Sequence, residues 1–425
     1  MENKSIGLFQ GVALYMAAIL GSGVLFLSSV TASMAGPASI VSWVIVIVIN
    51  FPLAYSFAIL ARNYPDAGGA ATFVRNSFGY HTGNIVGWFY FVTAAVGQTI
   101  VALTGAFYVS LAFGLSHFYT ILIAVFILMI AGISNFYGVS VSGKLALILS
   151  GCLLILLLVT IIVSIPNIRW ENFIPFVPNG WFSVGSAITV IFWSFFGWEA
   201  ICSLANHFKN PDKDIVKGTI ISAIIIGVLF LMLSFVTIGT ATYGSSESDL
   251  SPLGVMMGET VGVGAQVVTA VLAFIICTGT ANAFVASLTQ LGYSLSRDGS
   301  FPVFFEKVHR TTGIPRRMVM FIICFAILGV FVAELFSFTF NDLLFIPTSL
   351  GILVYILSMA AGVKLFQVRT LAWWTSLVSL ILCLCVLPFF KMYLFVPIIV
   401  VGLYTMYMML RAKFSKGVEG NENFK

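Results

Sequence analysis

Two short stretches place residues capable of chemistry inside an otherwise apolar chain. The first is Gly21-Ser22-Gly23-Val24, in the middle of an apolar run from Ile6 to Ala35. That run is long enough to cross a bilayer as a helix. Two glycines around a serine weaken the helix at mid-membrane, where unpaired backbone groups are most costly. Such a break is tolerable only where it lines a polar cavity or where a ligand satisfies the freed groups. The N–H groups of the half-helix that follows, near Ser22 to Leu25, carry the positive end of a helix dipole and form a cradle suited to a carboxylate. A lone Gly-x-Gly also suits close helix packing, and the second stretch tips the choice. It is Phe192-Trp193-Ser194-Phe195-Phe196-Gly197-Trp198-Glu199, where aromatics crowd around one glycine. Glu199 is the clearest charge at depth in any apolar run. Desolvation would raise its pKa and make it a proton carrier. Hydrogen bonds from freed N–H groups would instead keep it ionised as a permanent acceptor.

The elements that must position these stretches follow from composition. Of 425 residues, 60% are hydrophobic and 8% charged, with a mean hydropathy of +1.07. No soluble core absorbs that fraction, so the expected fold is an all-α polytopic membrane protein. The apolar runs give twelve spans, roughly 6–35, 38–61, 84–113, 118–136, 140–165, 182–207, 215–240, 262–294, 316–334, 341–363, 371–390 and 392–411. With the N-terminus inside, eighteen of the 20 basic residues face one side, leaving Arg169 and Lys391 on the other. The asymmetry puts both termini in the cytoplasm. The net charge of +5 therefore bears on topology rather than on a nucleic-acid partner. The six cysteines all fall in apolar runs and match neither a disulfide framework nor a metal spacing. No metal or cofactor is expected. The loop 62–83 suggests a small interfacial helix, the three-proline loop 165–181 an ordered cover, and the tail after Arg411 an unstructured end.

Span one leads the first half and span six the second. With five spans to a repeat, the sixth enters from the opposite side, so 1–165 and 166–365 form inverted repeats and 366–425 adds two spans and a tail. Interrupted helices at matching places in two inverted halves point to a transporter's midplane site. An intramembrane enzyme needs clustered acid, base or metal ligands at depth, and no such cluster is present in the apolar runs. Bulky aromatics at the midplane also suit a passive channel poorly.

These residues resemble those of the amino acid–polyamine–organocation (APC) transporters. The likeness rests on Gly21-Ser-Gly-Val, Tyr64-Pro-Asp-Ala-Gly-Gly, Gly197-Trp-Glu followed by Lys209-Asn-Pro, and Ser296-Arg-Asp-Gly, in order along the chain. The Phe208-Lys-Asn-Pro and Ala361-Gly-Val-Lys-Leu segments look most like a bacterial branch that exports methionine and branched-chain amino acids. The resemblance implies twelve helices in a five-plus-five inverted repeat, the LeuT-like fold, with helices 1 and 6 broken. It implies a substrate carboxylate at Ser22, Gly23 and Val24 and an ammonium at carbonyls near Ile19, Trp193 and Phe195. Gly21, Ser194 and Gly197 complete the breaks. Trp193 would be a gating aromatic, Phe284 a second pocket aromatic, and Gln98 and Val101 contacts from the third span. Some proton-coupled members carry a lysine deep in span five; the matching position here is Leu153, with Lys144 nearer the cytoplasmic end. No external cysteine is present to hold a heavy subunit, so no disulfide-linked partner is expected.

The pocket candidates carry no charge besides Glu199, and an unpaired charged side chain is expensive to bury. The expectation is therefore a secondary active transporter of neutral apolar L-amino acids (methionine, leucine, isoleucine, valine) in the bacterial cytoplasmic membrane. Efflux by proton antiport is the first reading; an uptake permease or an exchanger on the same fold is the alternative.

Overall fold

The computed structural model describes residues 6–64, 69–138, 143–198, 208–310 and 312–422. Among these, the secondary structure is helical apart from one isolated bridge between Ile6 and Phe208. The first apolar run is interrupted as its glycines require: α1 (Leu8–Ile19), a 3-10 turn over Ser22–Leu25, then α2 (Leu27–Ala35). Gly36, at φ +63, turns the chain back into α3 (Ser39–Asn63). The loop helix is α4 (Ala70–Phe78), which buries Ala70, Phe73, Val74 and Ser77 and is followed by α5 (Tyr80–Phe113), α6 (His117–Phe136) and α7 (Gly143–Ser164). Then α8 (Trp181–Ile191) passes into a 3-10 turn over Phe192–Phe195. The remaining helices are α9 (Pro211–Gly239), α10 (Ser246–Leu250), α11 (Pro252–Thr260), α12 (Val263–Arg297), α13 (Arg316–Leu335), α14 (Phe340–Leu365), α15 (Leu371–Val386) and α16 (Phe395–Glu422).

Local chemistry sets several boundaries. A Thr339–Asp342 capping box starts α14, Pro211 occupies the first turn of α9, and left-handed Gly114 ends α5, each placing a residue where its backbone preference fits. The proline-rich loop is tied to the end of α9: the Arg169 N–H and the Asn172 side chain both donate to the Gly239 carbonyl, at 2.9 and 2.7 Å. The tail differs from expectation, because α16 runs on to Glu422.

Nine helical runs among the described residues are long and apolar enough to cross a membrane. Two of them contain a sharp bend: 27–63 turns at Gly36, and 371–413 turns at Lys391, which sits at φ 51. Apolar side chains fill the core and also cover the outside of the bundle. Large apolar side chains such as Ile155, Leu328, Ile398 and Met409 are exposed, whereas hydroxyls of Thr31, Ser42 and Thr99 are buried and bonded to partners on neighbouring helices. That pattern suits lipid, where polar groups must be satisfied inside the bundle.

Candidate functional site

The two interrupted stretches meet. A Cβ added at Gly23 would lie 2.8 Å from the Ser194 Oγ and 3.0 Å from Trp193 Cδ1. In an unwound segment buried in lipid-facing protein, freed carbonyls need donors. Two tyrosines supply them. Tyr108 on α5 donates to the Leu25 carbonyl at 2.6 Å, and Tyr355 on α14 donates to the Phe195 carbonyl at 2.7 Å. The Trp198 indole N–H donates to Asn50 on α3 at 2.8 Å, tying the end of the second break to the bundle.

Beside the junction lies a cavity of about 270 Å³, near the lower end of the roughly 300–1,000 Å³ typical of small-ligand sites. Ile19, Gly21, Ser22 and Gly23 line it from the first break, and Trp193, Ser194, Phe196 and Gly197 from the second. Phe284 and Thr280 on α12, Tyr90 and Thr93 on α5, and Ser150 and Leu153 on α7 add to the opposite walls. Its polar groups are hydroxyls and backbone; no charged side chain lines it among the described residues. The Ser194 Oγ is buried with no hydrogen-bond partner among the described residues, a donor and acceptor held ready at the wall.

Four sequence candidates are elsewhere. Val24, Phe195, Gln98 and Val101 are buried but do not border the cavity. Phe195 turns towards Phe230, with ring centroids 5.5 Å apart, and its neighbour Phe196 takes the cavity wall. On α5 the lining is Tyr90, Thr93 and Ala94. One turn further on, the Trp193 indole lies on Gly97, where a Cβ would come within 2.6 Å of Cη2. Gln98 and Val101 lie further along α5, past the Trp193 indole. Glu199 falls outside the described residues, as do 65–68 of the first loop motif and Cys202. The sequence reading missed Tyr90, Thr93, Ser150, Thr280 and Phe196 as lining residues. Hydroxyl or aromatic type inside an apolar run was the available signal, but it does not say which face of the helix is inward.

The cavity draws on the first halves of α5 and α7 and on the middle of α12, from Ile276 to Ser287, so it lies between the middle of the bundle and the end where α5 and α7 begin. The other end is packed. Phe340 meets Phe26 edge-on at 4.8 Å and Phe107 at 6.0 Å, and Tyr108 also accepts from the Leu253 N–H of α11 at 3.3 Å. Asp249 on α10 accepts from Ser33 on α2 and from the Gly244 N–H, while Ser29 donates to the Asp249 carbonyl at 3.0 Å.

Burial pushes the Asp249 carboxyl up from 3.8, with the Ser33 and Gly244 hydrogen bonds opposing it. A carboxyl whose pKa is raised on folding binds its proton more tightly in the folded state. The contribution to folding stability is then fully present below the ordinary carboxylate pKa and is lost as pH rises through the raised value. The melting temperature should therefore carry a component that is highest in the acid range and falls as pH rises through the raised value. Asp249→Asn should flatten that dependence, and an unaltered profile in Asp249→Asn would assign it to another group.

A family model for "Amino acid permease" matches residues 6–410 of this chain. The chain belongs to the amino acid permease family. Among relatives, an uncharacterized amino acid permease of Bacillus subtilis, YecA, is 34% identical over 418 residues, 98% of each chain. The L-methionine/branched-chain amino acid exporter YjeH of Escherichia coli is 28% identical over 372 residues, 86% of this chain and 87% of the relative. The branched-chain amino acid permease BcaP of Bacillus subtilis is 26% identical over 334 residues, 72% and 70% respectively. This amino acid permease is thus a multi-pass bacterial membrane transporter of the APC superfamily and not an enzyme.

Proposed function

We propose that this permease carries neutral apolar L-amino acids, with methionine, leucine, isoleucine and valine foremost, through the cavity between its two broken helices. The observation that carries the reading is the cavity's chemistry: apolar and aromatic walls, hydroxyls at the junction, and no charged side chain among the described lining residues. N–H groups after the first break receive the carboxylate, and unwound carbonyls near Ile19 and Trp193 receive the ammonium. The substrates for which YjeH and BcaP are named have apolar side chains, in agreement with this reading.

In this reading the spans number twelve. The bent runs each divide in two, and the outer half 27–35 joins Leu8–Ile19 as one broken span matched by the run from Trp181. The five-plus-five inverted repeat, 1–165 against 166–365, follows from that order. The basic end of the bundle is cytoplasmic with both termini, so the cavity faces inward and the α10–α11 end is the closed outer face. Proton-coupled efflux by alternating access is the favoured cycle, with Glu199 as candidate carrier because Leu153 stands at the family's lysine position and lines the cavity. Uptake is the second reading, favoured by the likeness to BcaP, a branched-chain amino acid permease.

Counterflow in proteoliposomes over the twenty amino acids, with and without a pH gradient, tests the proposal. Leucine, methionine, isoleucine and valine should exchange, whereas lysine and glutamate should not; strong flux of either charged amino acid would refute the apolar-site reading. In the same assay Glu199→Gln should keep exchange and lose pH-driven net flux. Equal loss of both would make Glu199 an acceptor for the broken backbone instead.

A further inference from the structure

We propose that Gly351 determines substrate size by positioning Phe196: the missing side chain on α14 is the seat that keeps the Phe196 ring out of the cavity. The inference rests on the cavity being the amino-acid site.

Phe196, like Trp193, is an aromatic residue of the second break that borders the cavity. Its own backbone is extended, at φ −71 and ψ 121, and Gly197 follows at φ +148, so no helical turn on its own segment holds the ring. Packing against α14 holds it instead. Gly351 and Tyr355 are four residues apart and share one face of that helix. Tyr355 meets the Phe196 ring edge to face, with centroids 5.2 Å apart and planes at 81°. Gly351 leaves a notch one turn away. A Cβ built there would clash with the tip of the ring, nearest to Cζ and 2.5 Å from Cε2 and 2.7 Å from Cε1. The ring therefore occupies the space that an alanine methyl would fill.

A methyl at Gly351 must displace the ring, and the direction is constrained. Tyr355 is 1% exposed, packs on Phe57 at 5.0 Å and is anchored to the Phe195 carbonyl through its hydroxyl, so the ring cannot move that way. The open space it borders is the cavity. Two other walls use the same device: the Trp193 indole lies on Gly97, and Leu149 lies on Gly279. In a cavity of about 270 Å³, a ring moved inward by part of an ångström removes room that a long substrate side chain needs and a short one does not.

The test uses the full chain in proteoliposomes, with counterflow of alanine, valine, leucine, methionine and phenylalanine. Gly351→Ala should lower leucine and methionine exchange relative to alanine by about tenfold, since each buried methylene contributes a severalfold effect. Phe196→Val should shift the ranking the other way, towards phenylalanine. The double variant should recover the leucine-to-alanine ratio. A uniform fall across the panel that Phe196→Val does not repair would make Gly351 merely structural and overturn the proposal, as would an unchanged ranking. If Gly351→Ala does not accumulate in the membrane, Phe196→Val alone decides: a ranking moved towards larger substrates sustains the proposal, and an unmoved one overturns it. A wild type that exchanges none of the five overturns the amino-acid reading and this inference together. Wild-type exchange with unmoved variants overturns this inference alone.

Discussion

Gly23→Val should weaken binding of every amino acid this permease carries by more than about tenfold, whatever the side chain. Gly23 is where the two breaks touch. Its added Cβ would meet the Ser194 Oγ at 2.8 Å, Trp193 Cδ1 at 3.0 Å and Leu27 Cδ1 at 3.3 Å. Two of those atoms belong to the second break and one to the helix after the first, so relief of one clash tightens another. Valine adds two further methyl groups. Overpacking of this kind costs about 1–3 kcal/mol, and here it falls on the segment whose N–H groups are to receive the carboxylate. Because every amino acid has that carboxylate, alanine, valine, leucine and methionine should lose affinity by similar factors. Equilibrium binding of the four to purified Gly23→Val measures this, with Gly23→Ala as an intermediate case. Loss confined to the larger substrates would mean that the first break reads side chains, and the cradle model would be wrong.

Gly197→Ala should destabilise the protein by about 1–3 kcal/mol and depress exchange of all substrates together. Gly197 sits at φ +148, a conformation that residues with a Cβ rarely adopt. A Cβ there would also lie 3.0 Å from the Ala18 carbonyl oxygen and 3.3 Å from its carbon. Those are backbone atoms of α1 at the edge of the first break, and they cannot swing aside as a side chain does. Strain at the second break is thus passed directly to the first. The measurements are melting temperature and counterflow on one preparation. A Gly197→Ala protein that melts and exchanges like the wild type would show that the break tolerates an ordinary backbone, and the requirement for glycine would fall. The contrast with Gly351→Ala is diagnostic, since that change should alter the ranking among substrates rather than depress all of them.

What the sequence alone determined is the membrane-embedded helical class and the location of both breaks. Charge is too scarce and apolar runs too long for any other solvent, and glycines at Gly21, Gly23 and Gly197 interrupt helices at a depth where water cannot repair the backbone. Those are local properties, written in residue type. Only the tertiary structure decided which face of each helix borders the cavity. Along α5 polar side chains occur on the packed side, as at Gln98 and Thr99, as well as on the cavity side, as at Thr93, so spacing from Tyr108 led to Gln98 and Val101, whereas Tyr90, Thr93 and Ala94 line the cavity. In a soluble helix the polar face would have marked the register; in lipid that contrast is absent. The exchange of Phe195 for Phe196 has a second cause. Helical periodicity ends at the 3-10 turn and the extended residue after it, so neighbouring side chains no longer step by a fixed angle. Partners on other helices choose instead: Phe230 on α9 takes Phe195, and the Gly351 notch beside Tyr355 takes Phe196. Those partners lie more than thirty residues away in one case and more than a hundred in the other, and only the folded bundle brings them together.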